Sequence, residues 1–221
     1  NSLRSYFIIR QMLSKNSNIG SVICFNGRFP SAKPAILAAK HEERDYITFD
    51  LNRGFNHYEF KNESLHSIDA NTKRAVELYD TSPSLAKSTA DTFYNNKINN
   101  IPTYEHSYTK LQKTSLADVG LGDKKYTAVF TSSDDEYSFL GKEWGDVTTV
   151  DQVTEIQYLA KLVFPELLIV RMHPNQFHIR RDERQRYFDL ERLSNVKVIK
   201  PLSPIKTYDF LFASNLTITF C

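Results

Sequence analysis

The chain has 221 residues, and its 28 basic and 26 acidic side chains nearly cancel, leaving a net charge of +2. That balance argues against nucleic acid as the principal partner, and a content of 41% hydrophobic and 13% aromatic residues excludes a disordered chain and supports a sizeable core. Two cysteines, Cys24 and Cys221, are too few for a disulfide framework, and no apolar run reaches the roughly 18 residues of a membrane span, so a cytoplasmic protein is expected.

The opening Asn1-Ser2-Leu3-Arg4 lacks an initiator Met and reads as the middle of a helix, not as a signal peptide. The other end stops at Cys221 directly after a strand pattern, so both ends read as cut and a fragment of a longer enzyme is expected. Ser21–Phe25 predicts a strand, with Cys24 as a reduced, buried thiol inside an apolar run. Asn26-Gly27-Arg28 predicts a turn. Pro34–His41 predicts a helix with apolar positions at Ile36, Leu37 and Ala39, and Tyr46–Phe49 a second strand, completing one βαβ unit. From about Asp69 to Leu116 the pattern is helical and polar, with a Tyr/Asn/Lys-rich middle. Gly120–Lys125 is the best linker, which divides the chain into domains 1–119 and 120–221.

The second half is more regular. Tyr126–Thr131 predicts a strand. Thr149 and Gln152 have capping-box spacing and open a helix with apolar positions at Val153, Ile156, Leu159, Leu162 and Val163. Leu167–Val170 reads as a strand buried on both faces. A charged helix over about Arg180–Leu193 and a strand at Val196–Ile199 follow. Ser203-Pro204 predicts an N-cap with Pro at the first helical position, for a helix through Tyr208, Leu211 and Phe212. Leu216–Phe220 is the last strand. The alternation predicts a parallel, right-handed, Rossmann-like α/β sheet.

Ligands of such sheets sit beyond the carboxyl ends of the strands, which selects the loops after Phe25, Phe130 and Val170. In Thr131-Ser132-Ser133, backbone N–H groups and hydroxyls can hold a phosphate at a helix start; the alternative is a capping box between Ser133 and Glu136 that binds nothing. Asp134-Asp135-Glu136 reads as dipole partners of a first helical turn, so neither a metal site nor a cofactor is expected. His173 should emerge at the lip of the sheet, held by Pro174, where an imidazole can donate to a phosphate oxygen; the alternative is a histidine that bonds to backbone. Arg171 either supports His173 or pairs elsewhere, and Asn175 is a further supporting candidate. Arg28, with Asn26 beside it, can hold a phosphate or a sugar carboxylate, or form a surface ion pair. Arg180, Arg181, Arg184 and Arg186 alternate with acidic residues and read as a solvated face, and His41, His57, His66, His106 and His178 lie in no comparable setting.

Five stretches carry a family resemblance: CFNGRF (Cys24–Phe29), VFTSSDDEY (Val129–Tyr137), the Asp151-Gln152 helix start, IVRMHPN (Ile169–Asn175), and Asn195-Val196 leading to KPLSPIKTYDFLFASNLTIT. Together they resemble bacterial capsule and surface-polysaccharide glycosyltransferases of the GT-B type, closely over residues 120–221, loosely over 20–50 and little over 55–118. Similar His-Pro motifs occur in CMP-sialic acid and CMP-Kdo transferases and in polyglycerol-phosphate transferases, where they contact the donor phosphate. The resemblance implies a GT-B-like α/β fold of two Rossmann-like domains facing a cleft, both incomplete here. It implies donor-phosphate contacts from His173 and Pro174, and a phosphate loop at Ser132 and Ser133. The activity implied is metal-independent transfer of a sugar from a nucleotide-sugar donor to a glycan or lipid-linked glycan acceptor, in the cytoplasm, with peripheral association at the inner face of the membrane left open. It names no catalytic base, and the fragment alone is expected to be inactive. Two rival readings stand beside it: a nucleotide-sugar 2-epimerase of the same architecture, and a non-catalytic, degenerate Rossmann-like module that binds a partner or a polysaccharide.

Overall fold

The computed structural model describes residues 2–51, 58–99, 101, 111–133 and 151–220. These form a mixed α/β protein whose described residues fall into two compact units, the first ending at Ala86 and the second beginning at Lys87. No helix among them is long and apolar enough to cross a membrane.

The first unit contains α1 (Ser2–Lys15), β1 (Ser21–Phe25), α2 (Lys33–His41), β2 (Asp45–Leu51), β3 (Tyr58–Lys61) and α3 (Ile68–Thr81), after which α4 (Pro83–Ile98) crosses the division. The expected βαβ unit is present: β1 and β2 run parallel, with Ser21 opposite Asp45 and Phe25 opposite Phe49. β3 adds an antiparallel edge that the sequence reading does not anticipate. The core joins Leu13 of α1 to Ala38 and Ala39 of α2, with Tyr6, Ile9, Val22 and Tyr46 around them. The buried face of α2 is Pro34, Ala35, Ala38 and Ala39, and Leu37, expected inside, is 49% exposed. Small side chains at i and i+4 let α1 lie close, whereas a Leu there would hold the helices apart.

The second unit holds β4 (Tyr126–Phe130), α5 (Gln152–Val163), β5 (Leu167–Arg171), α6 (Arg181–Phe188), β6 (Val196–Ile199), α7 (Thr207–Phe212) and β7 (Leu216–Thr219). Its four strands are parallel and ordered β6-β5-β4-β7. The chain thus builds outward from β4 through β5 to β6, then returns to the other side of β4, so strand order reverses between β4 and β7. Leu168 and Val170 enter one core cluster and Ile169 the other, as the two-residue period of a strand covered on both faces requires. Val153, Ile156 and Ala160 of α5, with Tyr187 and Leu190, cover the first face. Phe210 of α7, with Leu116, Leu121 and Ile205, covers the second. Leu116 lies ahead of the expected 119/120 boundary and packs in this second core.

Three local expectations are corrected. In α5 the inward position goes to Ala160, and Leu162 is 61% exposed. Gln152 spends its side-chain amide on the loop after β4; its expected capping partner Thr149 lies outside the described residues. The last helix begins at Thr207, not at Pro204. Pro204 and Lys206 are held by main-chain bonds to Thr114, and the Gln112 side chain accepts from the Thr207 N–H at 2.8 Å, capping the helix from a distant segment. Phe210, which that reading passes over, is the fully buried residue of this helix, while Phe212 is 55% exposed.

Candidate functional site

The carboxyl edge of the parallel sheet is finished by polar main-chain bonds that extend the strands. Thr131 N–H donates to the Arg171 carbonyl at 3.1 Å, Met172 N–H to Ile199 at 3.0 Å, and Phe220 N–H to Phe130 at 3.1 Å. The loops after β4 and β5 therefore leave the sheet side by side, next to the reversal between β4 and β7. This is where open α/β sheets place their ligands.

Between the two loops sits a buried polar knot. Thr131 Oγ1 donates to Gln176 Oε1 at 2.6 Å and accepts from the His173 N–H at 2.9 Å, while Gln176 Nε2 donates to the Ser132 carbonyl at 3.1 Å. Ser132 N–H donates to Gln152 Oε1 at 2.9 Å, and Gln152 Nε2 returns a bond to the Ser132 carbonyl at 3.2 Å. The Ser132 hydroxyl donates to the Phe220 carbonyl. Ser132 and Ser133 are accordingly buried, at 8% and 1% exposure. Both donors of Ser132 are spent inside the protein, so its contribution to this edge is to fix the loop's path. The helix expected after Ser133 and the Asp134-Asp135-Glu136 run lie outside the described residues. Among the described residues no group of three or more His, Cys, Asp or Glu is placed to hold a metal.

His173 follows β5 in extended conformation, and Pro174 starts a short 3₁₀ turn over Pro174–Phe177. The Asn175 N–H donates to His173 Nδ1 at 3.2 Å, so Nδ1 is an acceptor and the neutral ring carries its proton on Nε2. His173 thus does bond to backbone, as the alternative reading of it has it, and that bond fixes the tautomer of a half-buried ring. Asn175 acts here through its main chain, and Gln176, which sequence reasoning missed, joins the two loops.

Arg171 ends β5. Alternation puts it on the face of Ile169, opposite Phe130 on β4 and Ile199 on β6. It is 7% exposed, and its Nη1 has no hydrogen-bond partner among the described residues. Burial pushes the guanidinium down to about 10, which leaves it charged at neutral pH. A buried, charged nitrogen without a partner is costly.

Arg28 and Asn26 belong to the first unit, at the carboxyl end of β1. Asn26 is in the left-handed region (φ 57°) and 6% exposed. Its Nδ2 donates to Asp50 of β2, and its Oδ1 lies 3.3 Å from His66 Nε2. Burial first, and then the charge of Arg28, hold His66 below the ordinary imidazole value, against the opposing pull of Asp50. The Arg28 guanidinium also lies 5.3 Å from the ring centroid of Phe29. Asp50 goes unremarked in the sequence and His66 is set aside there as lying in no comparable setting, because no local spacing links them: His66 stands 40 residues from the Asn26 it meets.

No family model matches the chain, and comparison with curated proteins and with solved structures finds no match either.

Proposed function

We propose that the chain is part of a GT-B-type glycosyltransferase of surface-polysaccharide synthesis, and that the carboxyl edge of β4 and β5 binds the phosphate of a nucleotide-sugar donor. The observation that carries this reading is Arg171, a charged side chain buried at the ligand-binding edge of a parallel sheet with one nitrogen unsatisfied. An anion there removes the cost of that burial. Strand order supports the same place, because the loops carrying Ser132, Ser133, His173 and Pro174 emerge beside the reversal point. The two compact units then correspond to the acceptor-side and donor-side domains of the enzyme.

In this mechanism an acceptor hydroxyl attacks the anomeric carbon and the bond to the donor phosphate breaks, its electron pair staying on the phosphate oxygen. Arg171 offsets the phosphate charge, and His173 donates from Nε2 to the departing oxygen. No metal or cofactor is assigned a part. The acceptor is a glycan or lipid-linked glycan, encountered at the inner face of the membrane.

The test is calorimetric titration of CMP, CDP, UMP, UDP and GDP into the wild type and His173→Ala. One nucleotide should bind, and the substitution should weaken it about tenfold, or roughly 1.4 kcal/mol. A folded protein that binds none of the five removes this reading.

A further inference from the structure

The three-stranded sheet of the first unit has two unlike faces. Val22 and Tyr46 point into the core with α1 and α2, and Cys24 and Thr48 on the same side are buried. The two-residue period sends Ile23 and Phe25 of β1, Phe49 and Leu51 of β2, and Tyr58 and Phe60 of β3 to the other side. The register sets them in rows: Phe25 stands opposite Phe49, Phe49 opposite Phe60, and Leu51 opposite Tyr58. Ring centroids are 5.5 Å apart for Phe25 and Phe49, and 5.7 Å for Phe49 and Phe60. Phe29, in the loop after β1, extends that chain by stacking on Phe25 at 6.3 Å. Yet Ile23 is 59% exposed, Leu51 52%, Tyr58 59% and Phe60 61%. A parallel pair such as β1 and β2 is ordinarily covered on both faces, so this face calls for a second layer.

Its size matches a protein interface. Phe25, Phe29, Tyr58 and Phe60 are each 39–61% exposed. At about 200 Å² for a whole aromatic side chain, these four leave about 400 Å² open. Ile23 and Leu51 bring the patch to the upper end of the about 300–600 Å² spanned by the largest patches on monomers. A standard interface buries about 800 Å² per partner, of which about 60% is apolar. The patch therefore supplies the apolar share of one such interface.

The charges at its two ends fit a copy of the same face. Asp45, at the amino end of β2, has the parity of Phe49, and the Arg28 guanidinium, beyond the carboxyl end of β1, lies over Phe29. A twofold axis between two such faces, running across the strands, sets the Asp45 end of one copy against the Arg28 end of the other. The described strand positions on this face supply no cation, whereas a lipid surface would be met by several. An added peptide strand takes a sheet edge, not a face.

We propose that this aromatic face is where two copies of the chain pair, sheet against sheet at a separation of about 10 Å. The inference stands apart from the transferase reading, and either can fail alone.

The test is sedimentation velocity of the full chain at pH 7, from about 1 to 200 μM, with a dimer of Kd about 10 μM or tighter expected for an interface of this size. Phe60→Lys and Leu51→Lys each set a charge in the apolar centre and should raise that Kd about 100-fold or more. Phe60→Leu, which stays apolar, should remain within about tenfold of wild type. Both lysine positions are more than half exposed in the single copy, so far-UV circular dichroism should be unchanged, and if one variant fails to fold the other decides. A wild type that stays monomeric at the highest concentration overturns the proposal, whatever other part of the chain or foreign surface covers the face. A dimer whose Kd the folded lysine variants leave within about threefold lies elsewhere on the molecule, and overturns it as well.

Discussion

Gln152 closes a two-point clamp on the main chain of Ser132, accepting from its N–H at 2.9 Å and donating to its carbonyl at 3.2 Å. One amide side chain thus stands in for a neighbouring strand at the point where β4 ends, and it ties the start of α5 to the loop.

Gln152→Leu keeps the bulk and removes both bonds, leaving a buried N–H without that acceptor. The expected cost is about 1–3 kcal/mol in urea unfolding, with unchanged m-value. A loss below about 0.5 kcal/mol would mean that the loop holds its path without the clamp.

Arg171→Met gives the opposite sign for stability and function. Exchanging a buried charge whose Nη1 has no partner among the described residues for an apolar chain of similar length should leave the ligand-free protein as stable as wild type or more so. Nucleotide binding should weaken tenfold or more. Thermal melts with and without added nucleotide separate the two effects: wild type should rise in Tm with ligand, and the variant should not. A variant that melts far lower without ligand would show that Arg171 is a structural residue.

Asn195 donates from Nδ2 to the Ala160 carbonyl at 2.8 Å and to the Glu166 carbonyl at 3.1 Å, satisfying the end of α5 and the approach to β5. Asn195→Ala deprives two carbonyls of their donor, for an expected loss of about 1–3 kcal/mol. Asn195→Asp should be worse above the carboxylate titration range, where an anion faces two carbonyl oxygens. Chemical denaturation at pH 7 checks both.

Tyr126 is fully buried, stacks on Phe210 with centroids 5.2 Å apart, and donates its hydroxyl to the Phe210 carbonyl at 2.8 Å. Burial pushes the phenol up to about 12. The folded value lies above the unfolded one, so this stabilisation is complete below pH 10 and is lost as pH rises toward about 12. Tyr126→Phe should cost about 1 kcal/mol at pH 7. It should also flatten the fall in stability between pH 10 and 12, read from thermal melts across that range.

The strand–helix alternation of the second half was legible in the sequence, because buried parallel strands such as Leu167–Val170 are short continuous apolar runs set between segments of helical period. The sequence also determined the βαβ start, through Cys24 between Ile23 and Phe25, and the exit of His173 beside Pro174 at the end of a strand. Which residues of a periodic face go inside was settled by packing between distant elements. Ala38 displaces Leu37 in α2 and Ala160 displaces Leu162 in α5, because distance to a neighbouring element, not hydrophobicity, selects the size of the contact residue. The start of α7 was likewise set by Gln112, 95 positions from the N–H it caps. The candidate site divides along the same line. His173, Ser132 and Arg171 stand at strand ends that hydrophobic patterning marks. Gln152, Gln176, Asp50 and His66 belong to polar networks whose members the fold gathers from distant segments, and a hydrogen bond leaves no periodic trace along the chain.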